Sequence, residues 1–266
     1  MTEKDYQRYL GYKENVKREI RELRAILDTV EAKNKERIWK KNQTSGDVDE
    51  AKLIEGLAGE KSIYKIRGEN TDNYFQRLPK KMYIVFDLSA SMMRFNGHDG
   101  RMDRSLECAL MLMEAFKGFE YKFNYQLFGH SGDGPAIDLM TRYPKTEKDM
   151  FEILNKMQGH ASYCLSGDST LLSIETAVKT ITNDEADDYF VLVLSDANLH
   201  QYNISPASIS NAIKSDTRVN AFMIFLGNLS NQADRLTEGL GDRSFNCFDN
   251  KDLPKIIKSI FLSTVN

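Results

Sequence analysis

Asp87, Ser89 and Ser91 stand at alternate positions where the apolar run MYIVF gives way to DLSASM. Two more polar clusters follow along the chain: SGDST, ending in Thr170, and SDANLH, with Asp196 and His200. Apart from His200, Asp87, Ser89, Ser91, Asp168, Thr170 and Asp196 offer only oxygen donors. Hard cations such as Mg²⁺ take oxygen ligands and retain several waters, whereas zinc favours imidazole and thiolate. This donor set therefore suits Mg²⁺, or Mn²⁺, better than Zn²⁺. The bland alternative is a series of strand ends turning into polar loops.

These residues act together only if the fold gathers them. From residue 81 strand and helix signals alternate. MYIVF, KFNYQLFG, AIDLM, YFVLVLS, VNAFMIFLG and SFNCF read as strands. Helices are expected over Arg104–Phe119, from Thr146 through Met157, over Leu171–Ile181, from Ser205 or Pro206 to Ser215, over Ala233–Gly239, and from an Asp252 cap through Leu262. YFVLVLS is continuously apolar, as a strand covered on both faces must be. Alternating strands and helices predict an α/β fold with an open, mostly parallel sheet between helices. HSGDGP is too short for a crossover helix, so AIDLM pairs antiparallel at one edge. In such sheets ligands bind beyond the carboxyl ends of the strands, where all three polar clusters fall.

Residues 1–80 differ in texture and predict a helical extension and linker ahead of a domain at 81–266. Val16, Ile20, Leu23, Leu27 and Val30 make one narrow apolar stripe on a charged helix. Asp47 can cap a short helix from Val48 to Leu57, KSIYKI reads as a short strand, and GENTDNYFQRLPK reads as a linker. Trp39 and Tyr64 are expected to pack the extension onto the sheet domain. Residues 1–80 carry 18 Lys and Arg against 15 Asp and Glu; the remainder carries 18 against 24. No basic stripe interleaves with aromatics, so nucleic acid is not an expected partner. No apolar run approaches a membrane span, and no targeting segment is visible. The scattered cysteines Cys108, Cys164 and Cys247 form no disulfide framework or zinc pattern, which suits a reducing, intracellular setting.

The ordered set Asp87-x-Ser89-x-Ser91, Thr170 and Asp196 resembles the metal-ion-dependent adhesion site of von Willebrand factor A (vWA) domains, and the likeness extends over residues 82–266. The resemblance implies a Rossmann-like vWA sheet and a Mg²⁺ ligated directly by Ser89 and Ser91. It implies that Thr170 ligates directly or through water, and that Asp87 and Asp196 hold ligating waters. The remaining position is left for a Glu or Asp of a partner protein. Segments on both sides of residue 80, including RELRAILDTVEAKNKERIWKKNQTSGDVDEAKLIEGLAGEKSIYKIRGE, are similar to the C-terminal part of a mitochondrial branch of that family. There, AAA+ ATPase modules precede this region, as ATPase and A domain are paired in midasin and in the magnesium and cobalt chelatases.

This chain has no G-x-x-x-x-G-K-[ST] loop, and GLAGEKS has the wrong spacing for one. ATP hydrolysis would belong to another module, and the chain is not expected to be an enzyme. A hydrolase or phosphotransferase centred on Asp87 is the alternative, but Ser89 stands where an aspartyl-phosphate enzyme wants a second carboxylate, and no G-x-S-x-G elbow is present. A scaffold with a silent metal site is a third reading. Asp168 either adds charge to the site or caps a helix. GHSGDG, residues 129–134, either lines a binding face or makes a tight hairpin. Arg94, His98, Arg101 and Arg104 either select an acidic partner or pair with nearby Asp. His200 is either a donor behind Asp196 or an exposed loop residue. Met111 and Met113 read as core.

Overall fold

The computed structural model describes residues 1–33, 37–53, 56, 59, 61–69, 78–165, 167–196, 199, 202, 204–226 and 236–263. The expected α/β architecture is present. Six strands, β4 (Lys80–Asp87), β5 (Phe123–Ser131), β6 (Gly134–Asp138), β7 (Tyr189–Ser195), β8 (Val219–Phe225) and β9 (Ser244–Asn246), form one sheet in the order β6-β5-β4-β7-β8-β9. All neighbours run parallel except the β5–β6 hairpin. The central strands are apolar on both faces because helices cover both. Val85, Val191, Val193 and Met223 join one core with Ile174, Val178 and Ile209. The alternate residues Ile84, Phe86, Leu192 and Leu194 are equally buried.

The strand order reverses at β4. β5 and β6 are added on one side of it, and β7, β8 and β9 on the other. Crossovers therefore leave the carboxyl ends of β4 and β7 in opposite directions, the place where open α/β sheets bind ligands.

Helix limits differ modestly from expectation. Arg101–Phe116 starts one turn early, and Glu147–Tyr163 continues past Met157 behind a capping box between Thr146 and Asp149. Ser205 caps Pro206–Ile213 through the Ser208 N–H. The last helix, Leu253–Ser263, begins directly after Asp252 and follows a 3₁₀ turn, Asn250–Asp252, that Asp249 caps. The helix expected over Ala233–Gly239 falls partly outside the described residues, with a helical turn at 236–240.

The chain forms two compact units, Met1–Arg24 with Leu78–Asn266, and Ala25–Arg77. Residues 1–24 thus group with the sheet, in contrast to the expected division at residue 80. Glu3–Asn15 is a helix whose Tyr9 is fully buried, donating to Glu114 Oε1 at 2.8 Å and standing edge-on to Phe151. Lys13 adds ion pairs to Glu114 and Glu147. Val16 closes that first helix, and a second helix, Lys17–Lys33, follows; Val16 with Ile20, Leu23 and Leu27 of the expected stripe is buried.

The second unit is not wholly helical. β1 (Arg37–Gln43), β2 (Asp47–Val48) and β3 (Tyr64–Glu69) form an antiparallel sheet in the order β1-β3-β2. The helix expected from Val48 to Leu57 starts later: the chain first makes β2 and a 3₁₀ turn, Glu50–Lys52, capped by Asp49, and of the rest Leu53 and Gly56 are helical while the others lie outside the described residues. β3 is the strand expected at KSIYKI, and Tyr64 in it is half-buried. The Trp39 side chain and His200 lie outside the described residues.

Candidate metal centre

Asp87 is the last residue of β4, Ser89 begins the following turn, and Ser91 lies in the short helix Ala90–Arg94. The turn is held by the Ser89 N–H, which donates to Asp87 Oδ1 at 2.9 Å. This bond folds positions two apart back onto one another, so the Ser89 and Ser91 hydroxyls meet at 2.9 Å. Asp196 follows β7, and its Oδ2 accepts the Ser91 hydroxyl at 2.9 Å. Asp87, Ser89, Ser91 and Asp196 thus form one connected group across the switch point.

Thr170 opens the helix Thr170–Ile181 and is fully buried. Its hydroxyl donates to Asp168 Oδ1 at 2.6 Å, and its N–H donates to the same oxygen at 2.9 Å. Asp168 therefore serves the helix start, one of the two roles open to it. His130, buried at the end of β5, lies directly across the ladder from Asp87. Its Nε2 is 3.5 Å from the Thr170 hydroxyl and its Nδ1 is 3.5 Å from Asp168 Oδ1. Because His130 faces Asp87 across the ladder and approaches both Thr170 and Asp168, the Thr170 group lies at the same end of the sheet as the Ser91 group. Burial is the first cause of the Asp87 pKa, pushed up to about 6; His130 opposes the rise and the two neighbouring aspartates add to it.

Two participants were not legible as site residues. His130 was hidden because its position opposite Asp87 depends on strand order. Arg101 stood among four basic residues with no sign of which one turned inward. Its side chain is 5% exposed and pairs with both Asp99 and Asp196. For Arg101, pairing with nearby Asp is the reading the structure bears out. Arg94 and His98 are exposed, and Arg104 reaches the Phe248 carbonyl. GHSGDG forms the tight β5–β6 hairpin, and Met111 and Met113 are fully buried in the core.

The residues present fit a divalent cation. Asp87, Asp168 and Asp196 are buried carboxylates, and among the described residues the guanidinium that pairs with Asp196, Arg101, is shared with Asp99. Asp168 Oδ2 and His130 Nδ1 are buried without a hydrogen-bond partner. Buried uncompensated charge is costly, and a cation relieves it. Among the described residues no three His, Cys, Asp or Glu side chains form a ligand cluster on their own. The hydroxyls of Ser89, Ser91 and Thr170 are the further oxygen donors that could hold a metal here.

A sheet of this order is that of a vWA domain, and the chain belongs to the vWA domain-containing family. Over its whole length, across 270 aligned residues, it is 48% identical to von Willebrand factor A domain-containing protein 8 of Mus musculus. The chain spans 14% of that relative's length. Among solved structures, the conserved hypothetical protein BatB of Bacteroides thetaiotaomicron shares the fold, with a TM-score of 0.50 and 11% identity over 69% of this chain and 98% of that one. A von Willebrand factor type A protein from Catenulispora acidiphila aligns over 69% of this chain and 42% of its own, at 13% identity and a TM-score of 0.45. No family model matches the chain. Among the described residues no helix is long and apolar enough to cross a membrane.

Proposed function

We propose that this chain is a divalent-cation-dependent protein-binding module that captures an acidic side chain of a partner. The observation that carries the reading is the connected group Ser89–Ser91–Asp196 beside buried Asp87. Ser89, Ser91 and Thr170 would hold Mg²⁺ or Mn²⁺ directly, with Asp87 and Asp196 holding its waters. Few charged direct ligands leave such a cation able to accept a partner Glu or Asp. Exposed apolar side chains on either side of Thr170, one in the loop before it and one in the helix it opens, support a protein partner. Leu165 is 70% exposed and Leu172 is 52% exposed. Large apolar side chains left in water beside a polar site suit contact with a protein surface.

The partner machine is proposed to be an AAA+ ATPase, within the same polypeptide or beside it, and the setting mitochondrial, both on the strength of the family resemblance. The module itself is proposed to be non-catalytic. The Ser89 and Ser91 hydroxyls bond each other and Asp196, not an imidazole. Ser131 does meet His160 Nε2 at 2.9 Å, but Asp133 approaches that same nitrogen, so it does not orient the ring through Nδ1 as a hydrolase triad requires.

Calorimetric titration with MgCl₂ and MnCl₂, followed by capture of partners from a mitochondrial extract with and without chelator, tests the reading. Saturable binding, and capture lost both in chelator and in the Asp87→Ala variant, is the expected outcome. Equal capture in excess chelator contradicts it.

A further inference from the structure

Arg101 opens the helix Arg101–Phe116 immediately after Gly100, whose φ of 66° lies in the left-handed region. That turn, which glycine makes without strain, sets Arg101 against Asp99. Arg101 Nε lies 3.0 and 2.9 Å from the two Asp99 oxygens, and Nη2 lies 2.6 Å from Oδ2. The guanidinium carbon also sits 5.1 Å from the centre of the Phe95 ring. Fork and ring together fix the plane of the group and leave Nη1 directed at Asp196 Oδ2, 2.5 Å away. The same Asp196 oxygen accepts the Ser91 hydroxyl. A permanent, nearly buried cation therefore shares the carboxylate that serves the candidate metal centre.

We infer that Arg101 is a positioning residue that draws negative charge away from the metal centre through Asp196, trading metal affinity for affinity toward a partner carboxylate. The inference rests on the metal-dependent reading proposed above. An arginine cannot shed its proton under ordinary conditions. Asp196 therefore always shares its charge, and a cation held by the neighbouring hydroxyls is less fully neutralised. Such a cation is bound less tightly by this chain and attracts a foreign carboxylate more strongly. Asp99 moderates the effect, since it neutralises part of the guanidinium charge.

Arg101 and its partner Asp99 give the inference opposite signs to test. Mn²⁺ affinity is measured by calorimetry on the whole chain, with thermal melting of each variant beside it. Arg101→Gln is expected to bind Mn²⁺ at least about tenfold more tightly, given one charge removed a few ångströms from the centre. Arg101→Lys keeps the charge and is expected to stay within about threefold of the unsubstituted chain. Asp99→Asn frees the guanidinium charge and is expected to weaken Mn²⁺ at least about threefold, which carries the test even if Arg101→Gln does not fold. A folded Arg101→Gln with equal or weaker affinity, or an Asp99→Asn with equal or tighter affinity, overturns the inference while Mn²⁺ binding by the unsubstituted chain leaves the proposed function standing. If the unsubstituted chain binds no Mn²⁺ at millimolar concentration, both fall together.

Discussion

The Ser91 hydroxyl donates to Asp196 Oδ2 at 2.9 Å across 105 positions of sequence, joining the loop after β4 to the loop after β7. The bond ties the two sides of the switch point by side chains alone, beyond the ends of the β4–β7 ladder. Ser91→Ala removes a direct donor from the centre but leaves Asp196 its contact with Arg101. Folding stability should fall by only about 1 kcal/mol, the net worth of one hydrogen bond. Mn²⁺ affinity should fall at least about tenfold. Calorimetry and a thermal melt on the same sample separate the two effects, and unchanged affinity would remove Ser91 from the ligand set.

Thr170 makes the corresponding case on the other side. Its hydroxyl and N–H both serve Asp168 Oδ1. Thr170→Val preserves shape and loses the hydroxyl, whereas Thr170→Ser keeps the hydroxyl and loses a methyl. The valine variant is expected to lose at least about tenfold in Mn²⁺ affinity and the serine variant less than about threefold. Equal losses in both would point to packing of the fully buried side chain rather than to its oxygen.

Tyr9 carries the attachment of the first helix. Its hydroxyl bonds Glu114, which also pairs with Lys13 at 2.7 Å. Burial alone would raise the Glu114 pKa, but the bonds from Lys13 and Tyr9 outweigh it and hold the carboxyl below its ordinary 4.5. A depressed carboxyl contributes stability above its unfolded pKa and loses it as pH falls through the folded value. Tyr9→Phe is therefore expected to cost about 1.5 kcal/mol near pH 7. The penalty should shrink below pH 4.5 as Glu114 takes up a proton in both variants. Urea unfolding at pH 7 and at pH 4 measures the difference. A penalty independent of pH would assign the loss to packing on Phe151 and Met150.

The parts of this fold that were legible in the sequence were those written locally. MYIVF and YFVLVLS are unbroken apolar runs because both faces of β4 and β7 are covered, and DLSAS and SDANLH follow them directly. HSGDGP was short enough to force the β5–β6 hairpin. What escaped depends on residues far apart in the chain. The polar strand Arg37–Gln43 shows no apolar alternation and becomes a strand only by pairing with Tyr64–Glu69. Arg101 meets Asp196 across 95 positions, and His130 faces Asp87 only because β5 lies beside β4. Tyr9 was missed because one buried aromatic on a charged helix leaves no periodic stripe.

Gly129 offers the most stringent test of how closely the sheet supports the metal loop. It lies in β5 opposite Phe86, one residue before His130. A Cβ built there would stand 2.3 Å from Leu88 Cδ1 and 3.0 Å from Leu88 Cγ. Leu88 is fully buried and sits between Asp87 and Ser89, with its N–H donating to the His130 carbonyl at 2.9 Å. The methyl of Gly129→Ala must therefore displace the Leu88 side chain, and because that side chain is fully buried the displacement is expected to shift the loop that carries Asp87 and Ser89. Overpacking of this kind costs about 1–3 kcal/mol, which melting will show. Because the displaced residue is part of the metal loop, Mn²⁺ affinity should fall together with stability. Gly129→Ala combined with Leu88→Ala removes the clash, exchanges it for a cavity, and is expected to recover at least part of the metal affinity without recovering full stability. If affinity stays at the unsubstituted level in Gly129→Ala, the loop is held by its own hydrogen bonds, Ser89 N–H to Asp87 foremost, and not by the packing of Leu88 against β5.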